Sequence, residues 1–320
     1  MTSMPTLKMG SQLKCVILGG GGFIGSHIVE TLAEQGHSVR VFERHNINTR
    51  NIAHVLGRIE LVYGDFLNED DLCRALAGMD IIIHLVSTTL PKSSNDNVIY
   101  DVETNVIGTI RLLNLAKQLG IRKIIFASSG GTVYGLPQYQ PISETHPTDP
   151  ICSHGIAKIT IEKYLQLYHH LYNLDYTVLR FANPYGPKQD PMTGQGAITV
   201  FLQQILNEEP ISIWGDGTVA RDYFYISDLA EAVLAAIEKD PPSKIYNIAS
   251  GFSHTLNELI NIMQAVTGRT PLIRYLPARK LDVSVNILDI SRARKELSWS
   301  PQVPLEEGIN RTWQWLQNYK

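Results

Sequence analysis

Four consecutive glycines, a carboxylate at the end of the next apolar run and a lysine within a long helical pattern are the parts of this chain best suited to chemistry. Residues 18–25 read Leu-Gly-Gly-Gly-Gly-Phe-Ile-Gly. Gly19, Gly22 and Gly25 space a tight turn that lets backbone amides approach a pyrophosphate, with Phe23 and Ile24 opening the helix behind it. The run satisfies both GxGxxG and GxxGxxG, so spacing alone does not choose between families. Glu43 follows 18 residues after Gly25. A carboxylate there accepts both ribose hydroxyls of NAD and repels a 2′-phosphate, so NAD is the expected cofactor. Arg44 follows at once and pulls towards NADP. Asp65 and Phe66 could flank the adenine, although an Asp in a strand-ending turn is ordinary.

These residues need strands and helices to hold them. Lys14–Leu18 is a short, β-branched apolar run, as expected of a buried parallel strand. Phe23–Gln35 carries apolar residues at Ile24, Ile28 and Leu32 and stops at Gly36, which predicts a helix. Further strands are expected at Ser38–Glu43, Ile59–Tyr63, Ile81–Val86, Lys123–Ala127, Tyr176–Ala182 and Lys244–Ile248. Helices are expected at Asn97–Leu119 and Cys152–Tyr172, and Asp228–Lys239 with Lys244–Ile248 reads as a return to the main sheet. The alternation predicts an α/β chain, a Rossmann-type doubly wound parallel sheet with a smaller C-terminal lobe. The expected division is residues 13–180 for the NAD-binding domain, with 220–250 returning to it. Residues 181–219 and 251–320 make the second lobe.

Composition narrows the function classes. Hydrophobic residues are 44% and charged residues 18%, a globular balance. Lys plus Arg is 28 and Asp plus Glu is 31, for a net charge of −3. With no long basic run, neither nucleic acid nor an anionic membrane is an expected partner. No apolar stretch reaches the roughly 18 residues of a spanning helix. The first twelve residues carry only Lys8 as a charge and do not read as an apolar signal core. The cysteines are Cys15, Cys73 and Cys152. An odd count without paired spacing suits a reducing compartment, so a cytoplasmic location is expected. No CxxC, HExxH or His/carboxylate cluster suggests a metal.

From about Lys14 to the C-terminus the chain resembles the extended short-chain dehydrogenase/reductase family, specifically its nucleotide-sugar 4-epimerases. The resemblance rests on Gly19-x-x-Gly22-x-x-Gly25, the Asn105 helix segment, Ser128-Ser129-Gly130-Gly131-Thr132-Val133-Tyr134-Gly135 and Arg180-Phe181-Ala182-Asn183-Pro184-Tyr185-Gly186-Pro187. It rests also on Trp214-Gly215-Asp216-Gly217 and the long, specific Arg221-Asp222-Tyr223-Phe224-Tyr225-Ile226-Ser227-Asp228. The family's chemistry uses a Ser/Thr, a Tyr and a Lys, the last two in Tyr-x-x-x-Lys, a spacing that puts both on one helix face. The resemblance implies that the Lys lowers the Tyr pKa and holds the nicotinamide ribose, while the tyrosinate takes the sugar hydroxyl proton.

This chain departs from that pattern at two of the three positions. Lys158 is present, but His154 stands at the Tyr position and Gly130 at the Ser/Thr position. Three readings of His154 stay open. It is itself the base, it impairs an epimerase scaffold, or the scaffold serves binding. A neighbouring lysine charge keeps an imidazole neutral and makes it a weaker base than a tyrosinate. Ser129 or Thr132 could supply the hydroxyl missing at Gly130, and Tyr134 lies beside the turn. All three also read as polar residues at a strand end.

The resemblance further implies a UDP-sugar substrate, led by UDP-glucose, UDP-galactose and their N-acetyl forms, bound partly by the C-terminal lobe. Asn183 and Arg221 are expected at the diphosphate and Asp282 at the nucleotide ribose, an Arg fork being apt for a diphosphate. Ser87 and Thr88, with Thr89, could bond sugar hydroxyls. Related dehydratases carry an Asp–Glu pair where this chain has Gly131 and Thr132, so dehydration is disfavoured. Epimerisation at C4 through a transient 4-keto sugar remains, with a non-catalytic binding protein and a nucleotide-sugar reductase as alternatives. Helices Asn97–Leu119 and Cys152–Tyr172 pair across a dimer in relatives. Ile107, Ile110, Leu115, Ile161, Leu165 and Tyr168 are therefore the expected face of a homodimer.

Overall fold

Lys14–Leu18 forms β1, whose last four residues are buried because helices cover the sheet on both faces. The computed structural model describes residues 12–90, 93–239, 241–278 and 283–319. Among these, β1 is joined in one parallel sheet by β2 (Ser38–Glu43), β3 (Glu60–Tyr63), β4 (Ile81–His84), β5 (Lys123–Ser129), β6 (Asp175–Phe181) and β10 (Ile245–Ile248). The order of the seven strands is β10-β6-β5-β4-β1-β2-β3. Alternation along β1 divides the core. Cys15 and Ile17 pack with Ile28, Val29 and Leu32 of α1 (Phe23–Glu34) and with α7 (Ile226–Glu238). Val16 and Leu18 pack on the other face with Leu72 of α2 (Glu69–Leu76) and with residues of α4 (Gly108–Gln118) and α5 (Ser153–Tyr172). Winding reverses between β1 and β4, and open α/β sheets bind ligands outside the strand ends at that point.

The helix expected over 97–119 is broken in its geometry. A short α3 (Val98–Asp101) runs through a π turn (Val102–Ile107) into α4. Asn105 lies in the wide turn, and Thr109 Oγ1 donates to its carbonyl at 2.5 Å. Periodicity could not show this, since the apolar spacing continues on both sides.

The remaining strands are small. β9 (Ala220–Tyr225) pairs with β7 (Asn183–Tyr185), β11 (Ser253–Thr255) and β13 (Val285–Asn286), while β8 (Ile211–Trp214) pairs with β12 (Ile273–Leu276). α6 (Ala197–Leu206), α8 (Leu256–Thr267) and α9 (Leu305–Gln317) accompany them. Within 220–250, Ala220–Tyr225 belongs to the small sheet, and the return to the main sheet is made by α7 and β10. The apolar face expected for self-association needs correcting. Ile161, Leu165 and Tyr168 are buried in the chain's own core, whereas Ile156, Leu167 and Leu171 of α5 stand exposed, as does Ile107. No helix among the described residues is long and apolar enough to cross a membrane.

Candidate active site

The glycine turn joins β1 to α1 at the switch point. A Cβ at Gly25 would stand 2.2 Å from the Gly19 carbonyl, so only glycine lets the helix start so close to the strand end. No acidic residue lies in the first turn of α1, which keeps its N-terminus favourable to an anion. Glu43 ends β2, buried, and its Oε1 accepts from the Gly21 amide at 2.8 Å. Burial pushes its carboxyl up, opposed by the Gly21 and Arg44 backbone amides. The Glu43 carboxylate thus faces the glycine turn, as a ribose ligand must. Asp65 and Phe66 follow β3 in the next turn. The Asp65 carboxylate accepts from the Leu67 amide in its own turn at 2.9 Å, and Phe66 is buried, stacked on His84 with centroids 5.3 Å apart.

The first turns of α5 carry His154 and Lys158. Gly155 sets its approach, because a Cβ there would come within 2.6 Å of the Thr132 carbonyl. α5 is capped from a distant loop. Asn95 Oδ1 accepts from the Ser153 amide at 2.9 Å and Ser94 Oγ from the His154 amide at 3.1 Å. Both His154 and Lys158 are buried. Lys158 Nζ donates to the Ala127 carbonyl of β5 at 2.8 Å and lies 4.8 Å from the centroid of the Phe126 ring. Burial brings the Lys158 ammonium down to about 8, with Glu162 and Asp101 acting against it. Burial and, after it, the Lys158 charge push the His154 imidazole down to about 4, against Asp101 and the Thr89 backbone.

The strand-end hydroxyls divide by role. Thr132 Oγ1 is buried without a hydrogen-bond partner, and Ser129 ends β5 half-buried. Gly130 cannot simply regain a hydroxyl, since a Cβ there would meet Leu288 Cδ1 at 2.4 Å. Gly131 faces open space apart from Ser129 Oγ at 3.9 Å. Tyr134 and Ser128 are drawn into a buried scaffold. Arg180 forks onto Glu162 and donates to Tyr134 Oη at 2.9 Å, while Ser128 Oγ donates to Glu162 at 2.6 Å. Tyr134 Oη itself donates to Asn247 Oδ1 at 2.6 Å.

The loop after β4 closes another side. Thr88 receives its order from Asn105, whose Oδ1 accepts from the Thr88 amide at 3.0 Å, and Ser87 Oγ donates to the Thr89 carbonyl at 3.1 Å. Sequence reasoning missed the anchor of this loop, Asp101. Fully buried, it accepts from Ser153 Oγ at 2.6 Å, from Asn105 Nδ2 at 2.8 Å and from the Thr89 hydroxyl. Its i, i+4 spacing to Asn105 is legible in the chain, but its meeting with Ser153 is a tertiary event.

Asn183 and Arg221 line one pocket of about 240 Å³, together with Tyr185, Ala197 and Tyr223. Asn183 Nδ2 donates to the Asp222 carbonyl at 2.9 Å, and an Arg221 Nη donates to the Val283 carbonyl at 2.6 Å. Asp282 lies outside the described residues. No cluster of His, Cys, Asp or Glu among the described residues could hold a metal ion.

The sequence model of the NAD dependent epimerase/dehydratase family matches residues 15–249. A UDP-glucose 4-epimerase of Mycolicibacterium smegmatis is 33% identical over 311 residues, covering 96% of this chain and 99% of its own. A dTDP-4-dehydro-6-deoxyglucose reductase of Escherichia coli is 33% identical over 302 residues, covering 92% of this chain and 95% of its own. Among solved structures, a UDP-glucose 4-epimerase of Thermotoga maritima in complex with UDP-glucose superimposes with a TM-score of 0.90. It is 35% identical and covers 95% of this chain and 98% of its own.

Proposed function

The chain belongs to the NAD dependent epimerase/dehydratase family, and from that premise we propose that it is a UDP-hexose 4-epimerase whose turnover is held low by His154. The glycine turn, the open N-terminus of α1 and the buried Glu43 fit NAD. When bound, NAD supplies the reversible oxidation at the sugar C4. The chain's own residues do the rest. Lys158 provides a cation at the nicotinamide ribose, and Thr132 Oγ1 or Ser129 Oγ bonds the C4 oxygen. Asn183 and Arg221 hold the diphosphate.

One residue carries the impaired part of the reading: His154, buried one helical turn from Lys158, stands at the Tyr position. An imidazole pushed down to about 4 is neutral at pH 7 and has little affinity for a sugar hydroxyl's proton. The Tyr at this place in relatives is implied to act as a tyrosinate, a far stronger base. Dehydration by the family's route lacks its acid and base, because Gly131 has no side chain and Thr132 carries only a hydroxyl. The same neutral His154 supports the alternative, a protein that binds NAD and a nucleotide sugar without turning it over. Incubating the purified chain with UDP-glucose, UDP-galactose and their N-acetyl forms, and following the anomeric NMR signals, separates the two. Slow interconversion without net change in NAD supports the epimerase, and binding without conversion supports the alternative. Stoichiometric consumption of NADH instead points to a reductase.

A further inference from the structure

Gly21, inside the glycine turn, is held at both of its backbone groups. Its amide donates to Glu43 Oε1 at 2.8 Å, and its carbonyl accepts from Asn51 Nδ2 at 3.3 Å. The next amide, Gly22, donates to the Gly19 carbonyl across a long 3.4 Å. Because the peptide is planar, the Asn51 bond fixes the orientation of the Gly22 amide as well. A run of four glycines, with Gly19 at a φ of 89°, has little of its own to keep its amides aimed at a pyrophosphate. Asn51 is therefore a strap on the cofactor turn.

Asn51 stands in the first turn of a 3₁₀ helix, Arg50–Arg58. The rest of that helix is seated on α1. Ile52 and Val55 share its core with Ile28 and Val29, His54 pairs with Glu30, and Arg58 Nη2 donates to the Ala33 carbonyl at 2.7 Å. These anchors begin at residue 52. The segment before them is a turn of its own, in which the Arg50 amide donates to Asn48 Oδ1 at 3.0 Å.

The first turn is gripped from outside by α9. The Arg50 guanidinium carbon lies 4.3 Å from the centroid of the Tyr319 ring. Tyr319 follows α9, its amide donating to the Leu316 carbonyl at 3.1 Å. Its ring packs on Trp315, with centroids 4.5 Å apart, and Trp315 packs against the main core. A continuous path thus runs from the core through Trp315, Tyr319, Arg50 and Asn51 to Gly21. A guanidinium over an aromatic face is attracted by the ring quadrupole, so the contact has a preferred place and not merely a sign.

We infer that Arg50 and Tyr319 form a latch that positions Asn51 on the glycine turn, so that the residues closing α9 set how tightly NAD is held. Both are positioning residues. The inference rests on NAD binding at the glycine turn, and neither the sugar nor His154 enters it.

NAD affinity by calorimetry and NAD release by stopped-flow displacement, on the full chain, test it with Tyr319→Leu, Arg50→Met, the two combined, and Tyr319→Phe. Each of the first two should weaken NAD and speed its release about two- to fivefold, the worth of an exposed cation–ring contact. The combined variant should lose no more than one of them alone, and Tyr319→Phe, which keeps the ring, should match the native protein. The thermal midpoint of the cofactor-free protein should stay where it is, whereas a merely structural role would lower it. Native affinity in Tyr319→Leu overturns the latch. A loss confined to Arg50→Met overturns it too, by making Arg50 a direct charge contact to the cofactor, and so do losses that add in the combined variant. Failure of the native chain to bind NAD removes the cofactor reading and the latch with it.

Discussion

His154 and Lys158 sit one helical turn apart on α5, both buried, and the Lys158 charge adds to burial in pushing the imidazole down to about 4. The two groups therefore cannot share a proton as a tyrosinate and an ammonium do. Any proton held by the pair at neutral pH resides on Lys158, which stays mostly charged with a value of about 8.

Glu43 should set cofactor choice. Its carboxylate is fixed by the Gly21 amide at 2.8 Å, in a place where a 2′-phosphate would be repelled. Glu43→Ala should weaken NAD binding roughly 10- to 100-fold and narrow the preference over NADP, read by calorimetry. Tighter binding of NADP than NAD by the native protein would make Arg44 the deciding residue instead.

Acid should destabilise the fold through buried histidines. Burial holds His27 and His154 down to about 4 and His84 to about 3, all from 6.5. The unfolded chain takes up their protons first, so this stability is present above about pH 6.5 and is lost as pH falls towards 4. Asp222, raised by burial to about 6, opposes them with one proton between about 4 and 6. Denaturant unfolding should show stability falling by one to two protons' worth, ~1.4 kcal/mol per proton per pH unit, between pH 6 and 4.5. His84→Phe, between Phe66 and Phe126, should flatten the slope by about one proton. A stability independent of pH over this range would contradict the assignment of these rings as neutral.

Gly130 and Leu288 compete for one volume. Gly130→Ser should destabilise by about 1–3 kcal/mol, since its Cβ would lie 2.4 Å from Leu288 Cδ1. Gly131→Ser, with only Ser129 Oγ near at 3.9 Å, should cost well under half of that. Gly130→Ser with Leu288→Ala should recover less than the full loss, because the smaller residue leaves a gap elsewhere. Equal thermal midpoints for the two serine variants would show that Leu288 yields freely.

Self-association should run through α5 and the α3–α4 segment. Ile156, Leu167 and Leu171 follow helical spacing along one exposed stripe of α5. A homodimer is the expected species by light scattering at micromolar concentration. Leu167→Glu with Leu171→Glu should give a monomer with unchanged NAD affinity. A native monomer would remove the dimer.

Much of the fold and of the cofactor side of the site is legible in the amino-acid sequence itself. The strand at Lys14–Leu18, the glycine turn and Glu43 follow local rules, because β-branched runs, tight turns and strand-end carboxylates carry their meaning within a few residues. Element ends are less legible, as at 81–86, where the backbone leaves the sheet after His84 to form the loop. What stays hidden is tertiary. Asp101 and Leu288 act across 52 or more residues of chain, through Ser153 and Gly130. The burial of Ile161 and Leu165 is hidden too, since an apolar helix face does not say which partner covers it.

A 4-epimerase scaffold held back by one imidazole is tested most directly by exchanging that imidazole for a phenol. His154→Tyr and the native chain are compared by anomeric NMR for interconversion of UDP-glucose and UDP-galactose, and of the N-acetyl pair, from pH 5.5 to 9. The expected result is weak or absent native turnover and a gain of about 10²–10⁴-fold in the Tyr variant, the usual worth of a positioned general base. Robust native turnover that falls as pH drops through the imidazole range, and that is lost on the change to Tyr, would contradict it and make His154 the working base.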